Sequence, residues 1–281
     1  LAMAAVLASG AFGAICGSGV ATTVTIGSVA YPMLAKSGYE PAAAGGLLAA
    51  GGLGAILSPP VLGAAAFLIA EFLKISYLEV IKMAVIPTVL YYFCLFFMVE
   101  LDARKYGMSQ GAFETVETAW TLAKRYWYHF LSLASIVVFM MWGFSPTLSV
   151  FWATVTAFAV SFFHRETALY PRRFIKAMET GTTGVLNVAA TCASAGIIVG
   201  VVTLTGLGLK FSSIVIEYAG GSLALTAVYT ALIVWIVGLA VPVTASYIIC
   251  AVIAAPALIK LGVPDYAAHM FIFYYAVLSE V

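Results

Sequence analysis

From Pro41 to Ala70 the chain carries no charged side chain, and near the middle of that run stands GGLGAILSPPVLG, residues 51 to 63. An apolar run of this length crosses a bilayer as a helix. Proline lacks an amide donor and its ring clashes with the preceding turn, while glycine favours unwound backbone. The sequence therefore predicts a helix that breaks at mid-membrane depth. Hydrocarbon offers no partner to freed backbone groups, so the unwound stretch has to lie against protein or line a water-filled or ion-filled cavity.

Composition fixes the solvent. Hydrophobic residues make up 63% of the chain, charged residues 9%, and mean hydropathy is +1.07, whereas a soluble domain is about 25% charged. The fold class is all-α integral membrane. A net charge of +1 with no concentrated basic face excludes a nucleic-acid surface. Cys16, Cys94, Cys192 and Cys250 lie far apart in apolar runs, which argues against zinc or a disulfide framework. The chain opens at Leu1 within an apolar pattern, without a signal-peptide layout, and reads as a fragment.

Full crossings are expected at roughly 80 to 100, 129 to 143, 147 to 163 and 183 to 206. Two other apolar runs are interrupted: residues 1 to 35 by CGSGVATTVT and residues 222 to 259 by GLAVPVTASY. Each is too long for one crossing and too short for two with a loop, which fits a re-entrant helical hairpin. The ends of the 129–143 and 147–163 helices opposite their GFSP turn carry Arg104, Lys105, Lys124, Arg125, Arg165, Arg172, Arg173 and Lys176. By the positive-inside rule that side is cytoplasmic. The first hairpin then enters from the cytoplasm and the second from the far side, an inverted pair.

Such a pair leaves a trace in sequence. YPMLAKSGYEPAAAG (31–45) and APALIKLGVPDYAAHM (255–270) align on a shift of 224 positions, which places Pro32 on Pro256, Gly38 on Gly262, Ala43 on Ala267, Ala44 on Ala268 and Ala55 on Ser279.

Carbonyls and small hydroxyls converging on one point suit a hard cation such as sodium. On this reading Ser18, Gly19, Thr22 and Thr23 at the first tip face Gly54 and Ser58 in the broken helix. In the second half Gly238, Pro242 and Thr244 pair with a break beginning at Ser279, beside the intramembrane carboxylate of Glu280, costly at that depth and therefore functional. Half-helix N-termini at the tips suit a substrate carboxylate, which assigns Thr22, Pro59, Val243 and Thr244 to substrate. The bland readings compete: SPP as an ordinary kink, and threonines 22, 23 and 25 back-bonding within a helix. The repeat and the tip positions favour the cavity.

His129 and His164 are read as interfacial and His269, one turn after Asp265, as packing. Residues 108 to 127 and YPRRFIKAMET are expected to form amphipathic helices along the cytoplasmic face. The chain has no GxSxG paired with a histidine, no HExxH and no paired aspartates, so an intramembrane enzyme is disfavoured. A channel needs no two tips entering from opposite faces.

The tip GSGVATT, the break GGLGAILSPPVLGAAAFLIAEFL, the central CASAGIIVGVVTLTGLGLKF, the second tip GLAVPVTASYIICAVIAAPALIKLGVPDYAAH and the ending FYYAVLSEV resemble the large membrane subunit of tripartite ATP-independent periplasmic (TRAP) transporters, most of all the fused permeases of the TAXI type. The resemblance implies an elevator-type secondary transporter with inverted repeats, two re-entrant hairpins and broken transmembrane helices. It implies sodium as coupling ion with no other cofactor, and uptake of an organic acid delivered by a periplasmic binding protein. A small membrane subunit or its fused equivalent is the further partner, and the location is a bacterial or archaeal inner membrane. Many relatives have asparagine where Glu280 stands, and their second break continues with Thr-Pro-Pro. The expected organisation is a first hairpin and broken helix over 1–73, scaffold helices and lateral arms over 74–182, and a second helix, hairpin and break over 183–281. The rival plan is a divalent-anion/sodium symporter of related fold that uses no binding protein.

Overall fold

In the computed structural model the described residues are 2–105, 121, 124, 127–163 and 167–280, and every regular element among them is helical. The chain groups into two compact units, residues 1–110 with 189–281, and residues 111–188.

The first unit opens with α1 (Ala2–Cys16) and α2 (Gly19–Lys36), a helical hairpin turned at Gly17 and Ser18. Gly17 has φ +59°, a left-handed conformation that costs glycine little. The Ser18 hydroxyl accepts from the Ala21 amide at 3.3 Å, satisfying one of the free donors at the start of α2. Helix α3 (Pro41–Leu57) begins with proline at its first position, where the missing amide costs nothing. It ends at Ser58, a cis peptide bond joins Pro59 to Pro60, and the chain resumes as α4 (Ala64–Leu73) and α5 (Tyr77–Lys105). The break predicted from SPP is present, with six residues between the helices.

The later part of this unit repeats the plan. After α8 (Pro171–Thr205) and α9 (Leu207–Tyr218), α10 (Leu223–Gly238) and α11 (Val243–Ile253) form a second hairpin, followed by α12 (Ala255–Lys260) and α13 (Asp265–Leu278). The shift of 224 positions also relates the helix boundaries. It carries the start of α2, Gly19, onto the start of α11, Val243, and the start of α3, Pro41, onto that of α13, Asp265. Gly38 and Gly262, both at positive φ, end the second arm of each hairpin. Ala254 separates α11 from α12 just ahead of Pro256, where the proline ring disfavours a continuous helix.

The core of the first hairpin is small and dry: Ala5, Val6, Ala30, Leu34, Ala44 and Leu47 are buried together. Small residues at these contacts let helix backbones approach closely, the packing mode available where lipid supplies no hydrophobic drive.

The second unit contains a short 3₁₀ turn (Trp127–His129), α6 (Phe130–Met141), α7 (Pro146–Ser161) and the first part of α8. Two span expectations are corrected here. Helices α6 and α7 are 12 and 16 residues long, shorter than a full crossing, because Gly143 at φ +87° and the Ser145 cap with Pro146 stop them around the GFSP turn. Among the described residues the helices long and apolar enough to cross are Tyr77–Lys105, Pro171–Thr205 and the arm Val243–Lys260. The third correction concerns YPRRFIKAMET: it is not a separate surface helix but the first turns of α8, which runs unbroken for 35 residues, its one proline lying at the first position. His164 and the helix expected over 108–127 fall outside the described residues, apart from Lys124, the residue at 121 and the 3₁₀ turn.

Candidate functional site

The first hairpin tip sits directly on the break. A Cβ placed on Gly17 stands 3.0 Å from the Val61 carbonyl oxygen and 3.4 Å from the Gly63 Cα, and one placed on Gly63, itself at φ +72°, stands 3.2 Å from the Gly17 carbonyl oxygen. At both positions a side chain would press on its neighbours and strain a backbone held at positive φ. Below the tip the hairpin packs on α3 through bare backbone: a Cβ on Gly52 stands 1.9 Å from Thr23 Oγ1 and 2.8 Å from the Gly19 carbonyl, and a Cβ on Gly13 stands 2.2 Å from that of Ala55.

These contacts divide the predicted first site. Gly19 and Thr23 do meet α3, at Gly52 rather than Gly54. The Thr23 hydroxyl lies 3.5 Å from the Leu48 carbonyl. Thr22 is fully buried, and its Oγ1 has no hydrogen-bond partner among the described residues. Gly54 faces α5, where its missing side chain admits the Tyr92 hydroxyl, 2.3 Å from a Cβ built there. Ser58 is buried; it donates to the Gly54 carbonyl and pairs with the Tyr92 hydroxyl at 2.9 Å. Pro59 is half-buried beside it.

Helix α5 supplies partners that sequence reading did not assign. The Thr88 hydroxyl lies 2.6 Å from the Leu57 carbonyl and 2.7 Å from that of Ala84. Tyr77 donates to the Pro60 carbonyl at 3.2 Å and Tyr91 to the Ala50 carbonyl at 2.6 Å. Tyr77, Thr88 and Tyr92 thus pair with oxygens on or beside the broken stretch, as an apolar solvent requires, while Tyr91 ties α5 to the body of α3. Nothing along the chain marks these hydroxyls apart from others on an apolar span, and only packing against α3 and the break assigns their partners.

The second site keeps the geometry and changes the chemistry. A Cβ on Gly238 stands 1.8 Å from Ser279 Oγ, the counterpart, within one residue, of Gly13 against Ala55. Ser279 is buried and donates to the Ala276 carbonyl at 2.7 Å. Glu280 Oε1 accepts from the Val243 amide at 3.0 Å, so a carboxylate sits at the positive end of α11. On the 224 shift its counterpart is Ile56, whose side chain packs 3.4 Å from a Cβ built on Gly19. Ser246 closes the tip by donating to the Val241 carbonyl at 3.1 Å. Pro242 is exposed and Thr244 half-buried, beside a groove of about 310 Å³ lined by Thr191, Ser194, Ile198, Val241, Pro242 and Ala245 among others. The groove carries hydroxyls and no charged side chain.

His269, read as packing, takes part in a cluster of its own: its Nδ1 lies 2.8 Å from the buried Tyr247 hydroxyl, and Phe72 of α4 lies 6.1 Å from both rings. It joins the broken helix of the first repeat to α11 and α13 of the second. Among the described residues no group of three or more histidine, cysteine or acidic side chains gathers as a metal centre, so the oxygens available at both tips are hydroxyls, carbonyls and the Glu280 carboxylate.

Searches of curated proteins and of solved structures find no match. The family model described as the tripartite ATP-independent periplasmic transporter, DctM component, matches residues 1–281. The chain belongs to that family: it is the multi-pass membrane permease component of a tripartite secondary transporter, which works with a periplasmic binding protein and a small membrane subunit.

Proposed function

We propose that the chain couples sodium to the uptake of an organic acid by an elevator mechanism, in the TAXI manner, with the ions held where the hairpin tips meet the breaks. The observation that carries this reading is the seating of Gly17 against Val61 and Gly63, together with the buried Thr22 hydroxyl, which has no hydrogen-bond partner among the described residues. Ser18, Gly19, Thr22 and Thr23 supply the first ion site at the tip, with the backbone of the break from Gly54 to Ser58 behind them, although the structure turns Gly54 and Ser58 toward Tyr92. Gly238, Pro242, Thr244, Ser279 and Glu280 supply the second. A hard, monovalent cation prefers such neutral oxygen sets, with at most one carboxylate. The substrate carboxylate takes the tip regions of Thr22, Pro59, Val243 and Thr244. The groove at the second tip is lined by hydroxyls and no charged side chain, and the positive end of α2 favours an anion, while that of α11 already meets the Glu280 carboxylate, which a bound cation would offset. Residues 1–73 and 183–281 then move as the transport part, and helices between them serve as scaffold, in an inner membrane.

Uptake of a panel of organic acids by the assembled transporter in liposomes, with its binding protein and with and without a sodium gradient, tests this. Wild type is expected to depend on both, and Thr23→Val with Ser58→Ala to require more sodium for half-maximal uptake. Uptake indifferent to sodium and to both substitutions would leave the break as a hinge and remove the ion site.

A further inference from the structure

The junction of α7 and α8 gathers two kinds of side chain that a membrane sorts to its surface. Phe162, Phe163, Tyr170 and Phe174 are all exposed, yet they are ordered by packing: Phe162 lies 6.5 Å from Tyr170, Phe158 lies 5.2 Å from Phe174, and Phe163 lies 6.0 Å from Tyr128. Ser161 ties the junction together, its Oγ accepting from the Leu169 amide at 3.3 Å. On this aromatic base stand Arg172, Arg173 and Lys176, exposed, in the first two turns of α8. Arg173 is held by an Nη1 contact of 3.5 Å to the Ala168 carbonyl.

The placement runs against two ordinary preferences. A helix start already carries positive partial charge, which disfavours cations there, and α8 has no acidic residue in its first turn. A water-facing surface would not surround these cations with exposed Phe174, Ile175 and Met178, and hydrocarbon would not hold the cations. The headgroup layer accommodates both, with aromatic rings at its apolar edge and negative charge at its polar edge.

We propose that this corner is a binding site for the headgroup of an anionic phospholipid, with Arg172, Arg173 and Lys176 on the phosphate oxygens and the aromatic base against the glycerol and upper acyl chain. A guanidinium takes two phosphate oxygens through parallel N–H bonds, which an ammonium does not reproduce. The site is independent of the sodium reading, because it involves neither hairpin tip.

The test uses the transporter assembled with its small subunit, incubated with phosphatidylglycerol and phosphatidylcholine together and examined by native mass spectrometry. Wild type is expected to retain phosphatidylglycerol in preference. Arg172→Gln with Arg173→Gln and Lys176→Gln is expected to lose that preference, by about fivefold for each cation removed. Arg172→Lys with Arg173→Lys keeps the charge and is expected to fall between the two. Glycerol 3-phosphate is expected not to displace the lipid, since it lacks the acyl chain that the rings hold. Should the triple variant not be recovered, wild-type retention must still fall as salt is raised. An unchanged lipid preference in a triple variant that melts with wild type overturns the proposal. Displacement by glycerol 3-phosphate overturns the lipid assignment, and protection of Arg172→Cys from thiol labelling by the small subunit rather than by phosphatidylglycerol assigns the corner to a protein partner instead.

Discussion

Glycine at position 52 leaves no space that a side chain could take: a Cβ there stands 1.9 Å from Thr23 Oγ1. Gly52→Val is therefore expected to push the first hairpin off α3 and cost about 1–3 kcal/mol, read as a lower melting temperature of the purified transporter in detergent. An unchanged melting temperature would show that the hairpin does not pack there. Thr88 is the opposite case, a side chain valued for what it donates. Thr88→Val strips the Leu57 carbonyl of its partner 2.6 Å away and is expected to cost about 1 kcal/mol, the scale of hydroxyl bonds within membrane proteins. Thr154 is the control, since its hydroxyl bonds only one turn back, to Val150 in the same helix, on an exposed face. Thr154→Val should leave chemical unfolding curves unmoved while Thr88→Val shifts them.

At the scale of elements the broken helix stands because α5 braces it. The sequence shows why α3 must stop, since proline cannot continue the amide ladder. It does not show where the freed carbonyls find donors. Tyr77, Thr88, Tyr91 and Tyr92 read along the chain as the hydroxyl-bearing residues of an ordinary span, and only folding brings them to Pro60, Leu57, Ala50 and Ser58. Tyr77→Phe with Tyr92→Phe removes two of these partners without changing the rings. Amides across 57–63 are then expected to exchange hydrogen faster in mass-spectrometric measurements, with α1 and α2 little affected. Equal exchange in wild type and variant would mean that the break is held by the hairpin tip alone. The correction to α8 belongs at this scale too: RRFIKAMET is amphipathic enough to suggest a surface helix, but nothing in it stops a helix, so the span simply begins earlier.

For the whole molecule, the repeat that relates Gly38 to Gly262 carries the strongest consequence. Two turns of like geometry close the second arms of two hairpins, and the inverted arrangement read from the charges predicts that they lie on opposite faces of the membrane. With Cys16, Cys94, Cys192 and Cys250 replaced, Leu261→Cys is expected to react with a membrane-impermeant thiol reagent added outside intact cells. Ser37→Cys is expected to react only after permeabilisation. Labelling of both from one side would mean parallel repeats. The sequence by itself determined the solvent, the helical class, the positions of both tips and of the first break, and the 224-residue repeat, because charge, proline and glycine act locally or through the cost of burial in lipid. Tertiary structure alone decided that Gly54 opens toward Tyr92, that Thr23 meets Gly52, and that Glu280 reaches the Val243 amide. The last of these contacts joins residues 37 positions apart, and no pattern along the chain encodes which face of one helix meets which face of another.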